Sequence, residues 1–298
     1  MTDEPSDENA APSLLCLGFG YSAEALTRRL LAEGWQVFGT TRSAQRAAAI
    51  AALGARPLLL RDSFAQAEVE AALRGASHLL SSVPPDKSGD PVLRDLAPCL
   101  KEARNLAWAG YLSTTGVYGD RGGGWVDEDT PARPGNPHSQ RRAAAEAEWL
   151  GLCSDHGLPV QIFRLAGIYG PGRSQIDALK TGRARRIVKP GQVFSRIHVA
   201  DIASALRASM ARPVPGRIYN LADDEPADAA EVVAYAAGLL GIAPPPEIPF
   251  EEAELSEMAR GFYAECRRVR NLRLRKELGV ALAYPSYREG LAAQIEQS

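Results

Sequence analysis

The stretch Leu14-Leu15-Cys16-Leu17-Gly18-Phe19-Gly20-Tyr21-Ser22-Ala23 decides the fold. Its apolar first half suits a buried parallel strand, and apolar residues then recur at helical spacing until Gly34, a residue typical of helix ends. The two glycines fall where the strand turns into the helix. Such glycines allow a tight turn and let backbone N–H groups approach a pyrophosphate at the helix N-terminus. We therefore expect a dinucleotide site that includes Gly18, Gly20, Tyr21 and Ser22.

The second predicted strand, 35–40, continues into Thr41 and Arg42 and lacks the expected acid. Folds that bind NAD place an Asp or Glu about 20 residues after the glycines, where it holds the ribose 2′-hydroxyl. No acid occurs between Glu33 and Asp62. Arg42, with Arg46 one turn later, suits a 2′-phosphate, although both are equally typical of solvated surface charges. The coincidence of a missing acid and an added base favours NADP over NAD.

Strand and helix patterns alternate through the first half of the chain. Alternation of this kind predicts an α/β fold, a doubly wound parallel Rossmann sheet with ligands beyond the carboxyl ends of its strands. From residue 170 the pattern loosens into a smaller mixed region. We predict a cofactor domain at 13–168 and a substrate region at 169–298, of which one strand returns to the main sheet. The further strands are predicted at 57–60, 78–83, 111–113 and 160–165, and the helices at 44–53, 67–73, 91–108 and 141–156.

Composition excludes several classes of function. The net charge of −2 over 298 residues gives no signal for nucleic acid or an anionic membrane, and no apolar run is long enough to span a bilayer. Residues 1–12 read as a disordered acidic tail, not a signal peptide. The 4 cysteines and 4 histidines lack metal-ligand spacing, so we expect no metal and a reducing, cytoplasmic location.

Four further motifs follow in order along the chain: Tyr111-Leu112-Ser113-Thr114-Thr115-Gly116-Val117-Tyr118-Gly119, the run from Arg164 to Arg173, Ile197-His198-Val199-x-Asp201, and Tyr219-Asn220-Leu221-Ala222. Together they resemble the extended or atypical short-chain dehydrogenases, the superfamily of NAD(P)-dependent epimerases, dehydratases and nucleoside-diphosphate-sugar epimerases. The resemblance covers about 280 residues, counted from the first strand onward. It implies hydride transfer to or from a small-molecule substrate, and it also allows a homodimer.

The resemblance implies that Thr114 holds the position of the family's catalytic hydroxyl, but the proton-transfer pair departs from the family. Where the family has Tyr-x-x-x-Lys, this chain has His138-Ser139-Gln140-Arg141-Arg142. An imidazole shuttles protons at lower pH than a phenol, and the charge of Arg142 would lower the pKa of a nearby His138. Two hypotheses follow: His138 is the general acid/base of an NADP-dependent reductase or epimerase, or the protein is a non-catalytic NADP-binding sensor or scaffold. A methyltransferase that binds S-adenosylmethionine is a weaker third.

The remaining predicted contacts follow strand ends and the family motifs. Asp62 resembles the family aspartate that binds the adenine amino group, although helix capping is the alternative. Asp201 is expected to cap a helix over 202–210. The other cofactor contacts are expected at Ser82, Val83, Pro84 and Ala166, and the substrate contacts at Arg173 and Arg196.

Overall fold

The computed structural model describes residues 11–296, with the exception of the Met258 side chain. The strands are β1 (Ser13–Leu17), β2 (Gln36–Thr41), β3 (Arg56–Leu59), β4 (His78–Ser81), β5 (Trp108–Thr114), β6 (Trp125–Val126), β7 (Val160–Leu165), β8 (Gly167–Tyr169), β9 (Arg186–Val188), β10 (Arg196–His198), β11 (Ile218–Leu221), β12 (Glu247–Pro249) and β13 (Arg268–Val269). The α-helices are α1 (Tyr21–Ala32), α2 (Ala44–Ala52), α3 (Ala67–Gly75), α4 (Pro91–Glu102), α5 (Pro137–His156), α6 (Gln175–Lys180), α7 (Val199–Ala211), α8 (Ala229–Leu239), α9 (Glu257–Tyr263), α10 (Leu272–Lys276) and α11 (Tyr287–Glu296).

Seven strands form one sheet in the order β3-β2-β1-β4-β5-β7-β11, and every neighbouring pair in it is parallel. Strand order reverses direction at β1, where β1 pairs with both β2 and β4. Such a reversal opens a crevice at the carboxyl edge of a parallel sheet. The predicted doubly wound Rossmann sheet is therefore confirmed.

Helices cover both faces of the sheet. Alternate side chains of a strand point to opposite faces, and β1 shows this directly. Leu14 and Cys16 pack on the face that holds Trp108 and Phe163, whereas Leu15 and Leu17 pack on the opposite face. Because the thiol of Cys16 is fully buried, its pKa rises to about 12. It is a small apolar packing group at physiological pH.

The predicted helix over 91–108 begins where expected, but its predicted end is wrong. α4 begins after the Asp90 cap and ends at Glu102, and the chain enters β5 at Trp108. The apolar run at the start of β5 is buried against β4 and β7 because it is a strand in the middle of the sheet. The indole Nε1 of Trp108 donates to Ser209 Oγ at 2.9 Å, which fixes it there.

The second half of the chain contributes both to the main sheet and to a smaller mixed layer. β11 pairs in parallel with β7, where the rings of Phe163 and Tyr219 stack with centroids 5.8 Å apart. The mixed layer contains a separate apolar cluster around Ile176, Val232 and Leu291. The division at residue 168 stays a prediction.

Most of the predicted acidic tail, residues 1–10, lies outside the described residues, while Pro12 accepts a hydrogen bond from the Gln36 N–H. No helix within residues 11–296 combines the length and the apolar character that crossing a bilayer requires.

Candidate active site

The glycine-rich turn is fastened to two neighbouring strand ends. Gly18 has φ +82°, and a Cβ there would lie 3.0 Å from both Ser82 Oγ and Val83 Cγ2. The Gly18 N–H donates to Thr40 Oγ1 at 2.7 Å, and Ser82 Oγ donates to the Gly18 carbonyl at 2.5 Å. The turn therefore requires glycine at this position, and it brings the predicted contacts Ser82 and Val83 to the crevice.

Helix α1 begins at this turn with an open N-terminus. Its cap residue is Gly20, which supplies no side chain to the first-turn N–H groups. The Tyr21 hydroxyl donates to the Pro171 carbonyl at 2.9 Å, and Ser22 is buried, so both offer their backbone to the crevice. Uncapped N–H groups and the helix dipole together make an anion site.

Basic side chains flank the end of β2. Thr41 Oγ1 accepts from the Ser43 N–H at 3.2 Å, which shapes the entry into α2. Arg42 is exposed and has no hydrogen bond or ion pair with another residue of the described chain. Arg46 is paired with Glu24 of α1. Among the predicted cofactor contacts on this side, Arg42 is the cation left available to a ligand.

Three other predicted contacts lie along the same carboxyl edge. Asp62 is exposed beyond β3 and makes no hydrogen bond to the described residues. Pro84 is exposed after β4. Ala166 is buried after β7 and donates its N–H to the Leu221 carbonyl at 3.0 Å.

Thr114 ends β5, where its hydroxyl has a free proton. Its Oγ1 accepts from the Gly116 N–H at 3.0 Å and caps the short 3₁₀ turn Thr115–Tyr118. The hydroxyl donates to no acceptor in the described residues. Thr114 can therefore donate a hydrogen bond to a substrate oxygen.

His138 is the second residue of α5, whose cap is the Asn136 side chain. Its imidazole is exposed at the helix N-terminus. Partial desolvation lowers the pKa of His138, and the positive charges of Arg142 and Arg141 lower it further. The imidazole is consequently neutral at pH 7 and can accept a proton.

Arg142 lies one turn further along α5 and ties the helix to two strand ends. Its Nη1 donates to the Leu112 carbonyl at 2.9 Å, to the Tyr111 hydroxyl at 3.1 Å and to the Val83 carbonyl at 3.3 Å. Its Nε and Nη2 make no hydrogen bond within the described chain. Arg142 thus has a fixed anchor at the crevice and two donors that remain for a ligand.

A buried ion pair beneath the site was missed by the sequence analysis. Glu146 is one turn beyond Arg142, and both of its oxygens accept from Arg164 of β7, the shortest contact being 2.7 Å. Ser113 Oγ also donates to Glu146. A glutamate on an otherwise alanine-rich helix face and an arginine within an apolar strand were the available signal. Together they hold α5 against β5 and β7.

The two arginines predicted to bind substrate lie in different surroundings. Arg173 is exposed, and its guanidinium carbon lies 5.9 Å from the ring centroid of Tyr21, at the N-terminus of α1. Arg196 is largely enclosed, and its Nη1 donates to the carbonyls of Phe194 at 2.8 Å and Ala227 at 3.0 Å. Burial lowers the pKa of Arg196, which faces the carboxyl group of Asp223. The structure does not bring the two arginines together.

The predicted capping role of Asp201 is wrong. Helix α7 begins at Val199, and His198 is its cap, with Nδ1 accepting from the Ala200 N–H at 3.2 Å. Asp201 lies inside the first turn. Its carboxylate instead accepts from the backbone N–H groups of Ala283 at 2.7 Å and Tyr284 at 3.1 Å, so it anchors the C-terminal segment.

The C-terminal region also contacts the elements that carry the predicted site residues. Asn136 Nδ2 donates to Glu265 at 2.9 Å. Arg267 Nη1 donates to the other oxygen of Glu265 at 2.7 Å and to the Gly119 carbonyl at 3.0 Å. These contacts join the cap of α5 to the turn that follows Thr114, and sequence reasoning had not identified them. Within residues 11–296 no cluster of three or more His, Cys, Asp or Glu side chains is arranged to hold a metal ion.

Comparison with known proteins places the chain among related sequences and folds. The model of the NAD dependent epimerase/dehydratase family matches residues 95–222. A 3-diazoavenalumate denitrifying reductase from a Streptomyces species is 30% identical over 301 residues, which covers 92% of this chain and 97% of the relative.

Two solved structures extend the comparison. The structure of a functionally unknown conserved protein from Silicibacter pomeroyi has a TM-score of 0.88 and 49% identity, and covers 96% of this chain and 99% of that one. A dTDP-glucose 4,6-dehydratase from Bacillus anthracis, in complex with NAD, has a TM-score of 0.76 at 18% identity, with 96% of both chains covered, and supports the fold alone. The relative that aligns over nearly the full length agrees with the family model. The open N-terminus of α1 and the strand-end hydroxyl of Thr114 fit the same family. The chain belongs to the NAD-dependent epimerase/dehydratase family.

Proposed function

We propose that the protein is an NADP-dependent oxidoreductase or epimerase that acts on a carbonyl or hydroxyl group of a small molecule, with nucleotide sugars among the candidates. One observation carries the proposal. The free hydroxyl proton of Thr114, the neutral imidazole of His138 and the anchored Arg142 all lie on elements that meet at the carboxyl edge of the sheet, beside the uncapped N-terminus of α1.

The residues of this edge fit a dinucleotide. The turn at Gly18 and the open first turn of α1 would hold the pyrophosphate, and Arg42 would bind a 2′-phosphate. Val83 and the unused donors of Arg142 would hold the ribose next to the nicotinamide. When bound, the cofactor supplies or accepts a hydride at the substrate carbon.

Thr114 and His138 would bind the oxygen of the reacting carbon and exchange its proton. The Thr114 hydroxyl donates to that oxygen and stabilises the negative charge that develops there. The protonated His138 gives a proton to the oxygen in the direction of reduction, and the neutral His138 removes one in the direction of oxidation. Because the pKa of His138 is lowered, acidic conditions favour its role in reduction and neutral conditions its role in oxidation.

The comparisons support an enzyme more than they support a particular cofactor. The Streptomyces relative that aligns over nearly the full length is named a reductase. The family description names NAD, and the dehydratase of similar fold holds NAD. Preference for NADP rests on Arg42 and on the missing acid after β2. The cysteines are all unpaired in the described residues, which supports a reducing, cytoplasmic location.

The second candidate is a protein that binds NADP without catalysis. It is favoured by the loss of the Tyr-x-x-x-Lys pair and by the engagement of Arg142 with three oxygens, two of β5 and one of the loop after β4. Such a protein would bind NADPH and never oxidise it. A homodimer stays a prediction under either function.

Fluorescence titration of the purified protein with NADPH and NADH tests the proposal. Tight binding of NADPH and weak binding of NADH are expected. A carbonyl panel is then screened for NADPH oxidation with the wild type and with His138→Ala, which should bind cofactor and lose turnover. Binding without any turnover would favour the sensor, and failure to bind either cofactor would overturn both functions.

A further inference from the structure

Arg46 of α2 is held by the carboxylate of Glu24 on the neighbouring helix α1. Its Nη2 lies 2.8 Å from Glu24 Oε2 and 3.5 Å from the Phe19 carbonyl within the glycine-rich turn. The guanidinium carbon is 6.0 Å from the centroid of the Phe19 ring. The pair therefore joins the first turn of α1 to the first turn of α2 across the turn at Gly18.

This pair lies next to the position proposed for the cofactor's 2′ group. Arg46 is in the first turn of α2, whose cap residue Ser43 follows Arg42, and the Ser43 hydroxyl accepts from the Arg46 N–H at 3.2 Å. Arg42 has no partner in the described chain, whereas Glu24 is shared between Arg46 and Arg28, each at 2.8 Å. Both arginines lower the pKa of Glu24, so it is ionised at pH 7.

We propose that Glu24 is a specificity-determining residue: as a counter-ion, it holds Arg46 and thereby moderates the preference for NADP over NAD. The inference rests on the proposed dinucleotide function. A 2′-phosphate would have to compete with the Glu24 carboxylate for Arg46. A 2′-hydroxyl is neutral and does not compete for that arginine. Glu24 thus raises the energy of bound NADPH and leaves that of NADH unchanged.

The accessibility of the pair sets the size of the effect. The Arg46 and Glu24 side chains are 39% and 27% exposed, so solvent screens their interaction. Glu24→Gln should therefore tighten NADPH binding by roughly fivefold and change NADH binding by less than about twofold, as expected for a partly exposed ion pair. The gain should shrink as salt is added.

Glu33→Gln is the matched control. Glu33 follows the last turn of the same helix, and its carboxylate also pairs with two arginines, Arg29 at 3.3 Å and Arg207 at 2.6 Å. It lies at the end of α1 away from the glycine-rich turn, so this variant should leave the ratio of NADPH to NADH affinity unchanged. Thermal unfolding of both variants confirms that they fold.

Fluorescence titration of Glu24→Gln, Arg46→Gln and the double variant completes the test. If release of Arg46 causes the tighter binding, Glu24→Gln increases the affinity for NADPH when Arg46 is present. It does not do so in the Arg46→Gln background. Unchanged or weaker NADPH binding by folded Glu24→Gln would overturn the inference, as would a gain that persists without Arg46. Because the wild type must first bind NADPH, failure of the proposed function shows separately as absence of binding in every variant.

Discussion

His138 stands where the family resemblance places a tyrosine, and its imidazole loses its proton at lower pH than a phenol does. We expect the rate of NADPH oxidation by the wild type to fall as pH rises through the lowered pKa of His138, because the protonated ring is the proposed proton donor. His138→Tyr should move that falling limb several pH units, to the alkaline side. The pH–rate profiles of the two proteins check this. Identical profiles would remove His138 from the proton transfer.

His156→Tyr serves as the control for that exchange. His156 is the last residue of α5 and lies 18 positions from His138 on a helix of 20 residues. The same substitution there should leave the pH–rate profile of the wild type unchanged. NADPH titration should give equal affinities for all three proteins.

Arg42 is a predicted cofactor contact, whereas Arg173 is a predicted substrate contact. Arg42→Ala should weaken NADPH binding by roughly tenfold or more, since it removes a charged hydrogen bond to the 2′-phosphate, and should leave NADH binding nearly unchanged. Arg173→Ala, at a predicted substrate contact beside Tyr21, should leave the ratio of NADPH to NADH affinity unchanged. Titration with the two nucleotides measures both effects. Equal loss of NADPH and NADH in Arg42→Ala would contradict the assignment of the 2′-phosphate.

At the scale of elements, the buried pair of Glu146 and Arg164 holds α5 on the sheet. Glu146→Ala should lower the free energy of unfolding by about 3–5 kcal/mol, because it leaves an uncompensated buried guanidinium. The exposed Glu148 lies on the same helix, and Glu148→Ala should change the stability by less than about 0.5 kcal/mol. Urea unfolding compares them. A small effect of Glu146→Ala would mean that α5 is positioned by its apolar face alone.

The order of strands and helices was readable from the sequence because each buried strand leaves a short apolar run and each helix a repeat of three to four residues. The start of β5 was misplaced since Ala107-Trp108-Ala109 continues an apolar pattern that also suits a helix. Asp201 looked like a cap because it precedes an apolar helical run. Its true partners, the N–H groups of Ala283 and Tyr284, are more than 80 residues away, and local pattern carries no information about them.

Local pattern and long-range contact also differ in what they reveal of the site. Gly18, Thr114 and His138 follow motifs that the local sequence displays, so they could be proposed at once. The contacts of Glu265 with Asn136 and of Glu24 with Arg46 join segments that meet only in the folded chain. No spacing rule connects such residues.

For the molecule as a whole, Asp223 makes stability depend on pH. Burial raises its pKa to about 8, against the opposing charge of Arg196. Between pH of about 4 and 8 the folded state holds a proton that the unfolded state has released, so stability falls as pH rises. Asp223→Asn should therefore raise the melting temperature, and more at pH 8.5 than at pH 5.

Two buried histidines produce the opposite slope at lower pH. Burial lowers the pKa of His78 and of His198 to about 4, so both bind protons in the unfolded state before they do in the folded one. Stability should fall as pH drops below about 6.5. Thermal unfolding of the wild type across this range should show a maximum in the melting temperature. Asp224→Asn is the control, because Asp224 is a neighbouring exposed carboxylate paired with Arg275. It should lack the gain in melting temperature that Asp223→Asn shows at alkaline pH.

The place of β11 beside β7 has a consequence for synthesis. While the chain grows on the ribosome, β7 is complete well before Leu221 is made. During that time the β7 edge of the nascent sheet is unpaired, and the ring of Phe163 beside it is uncovered. This exposed apolar edge is a binding site for chaperones until β11 is made. A gene fragment that stops after residue 168 would make this transient edge permanent. The first 168 residues alone are therefore a poor choice of stand-alone module for fusion or display, because they would precipitate or pair with their own copies.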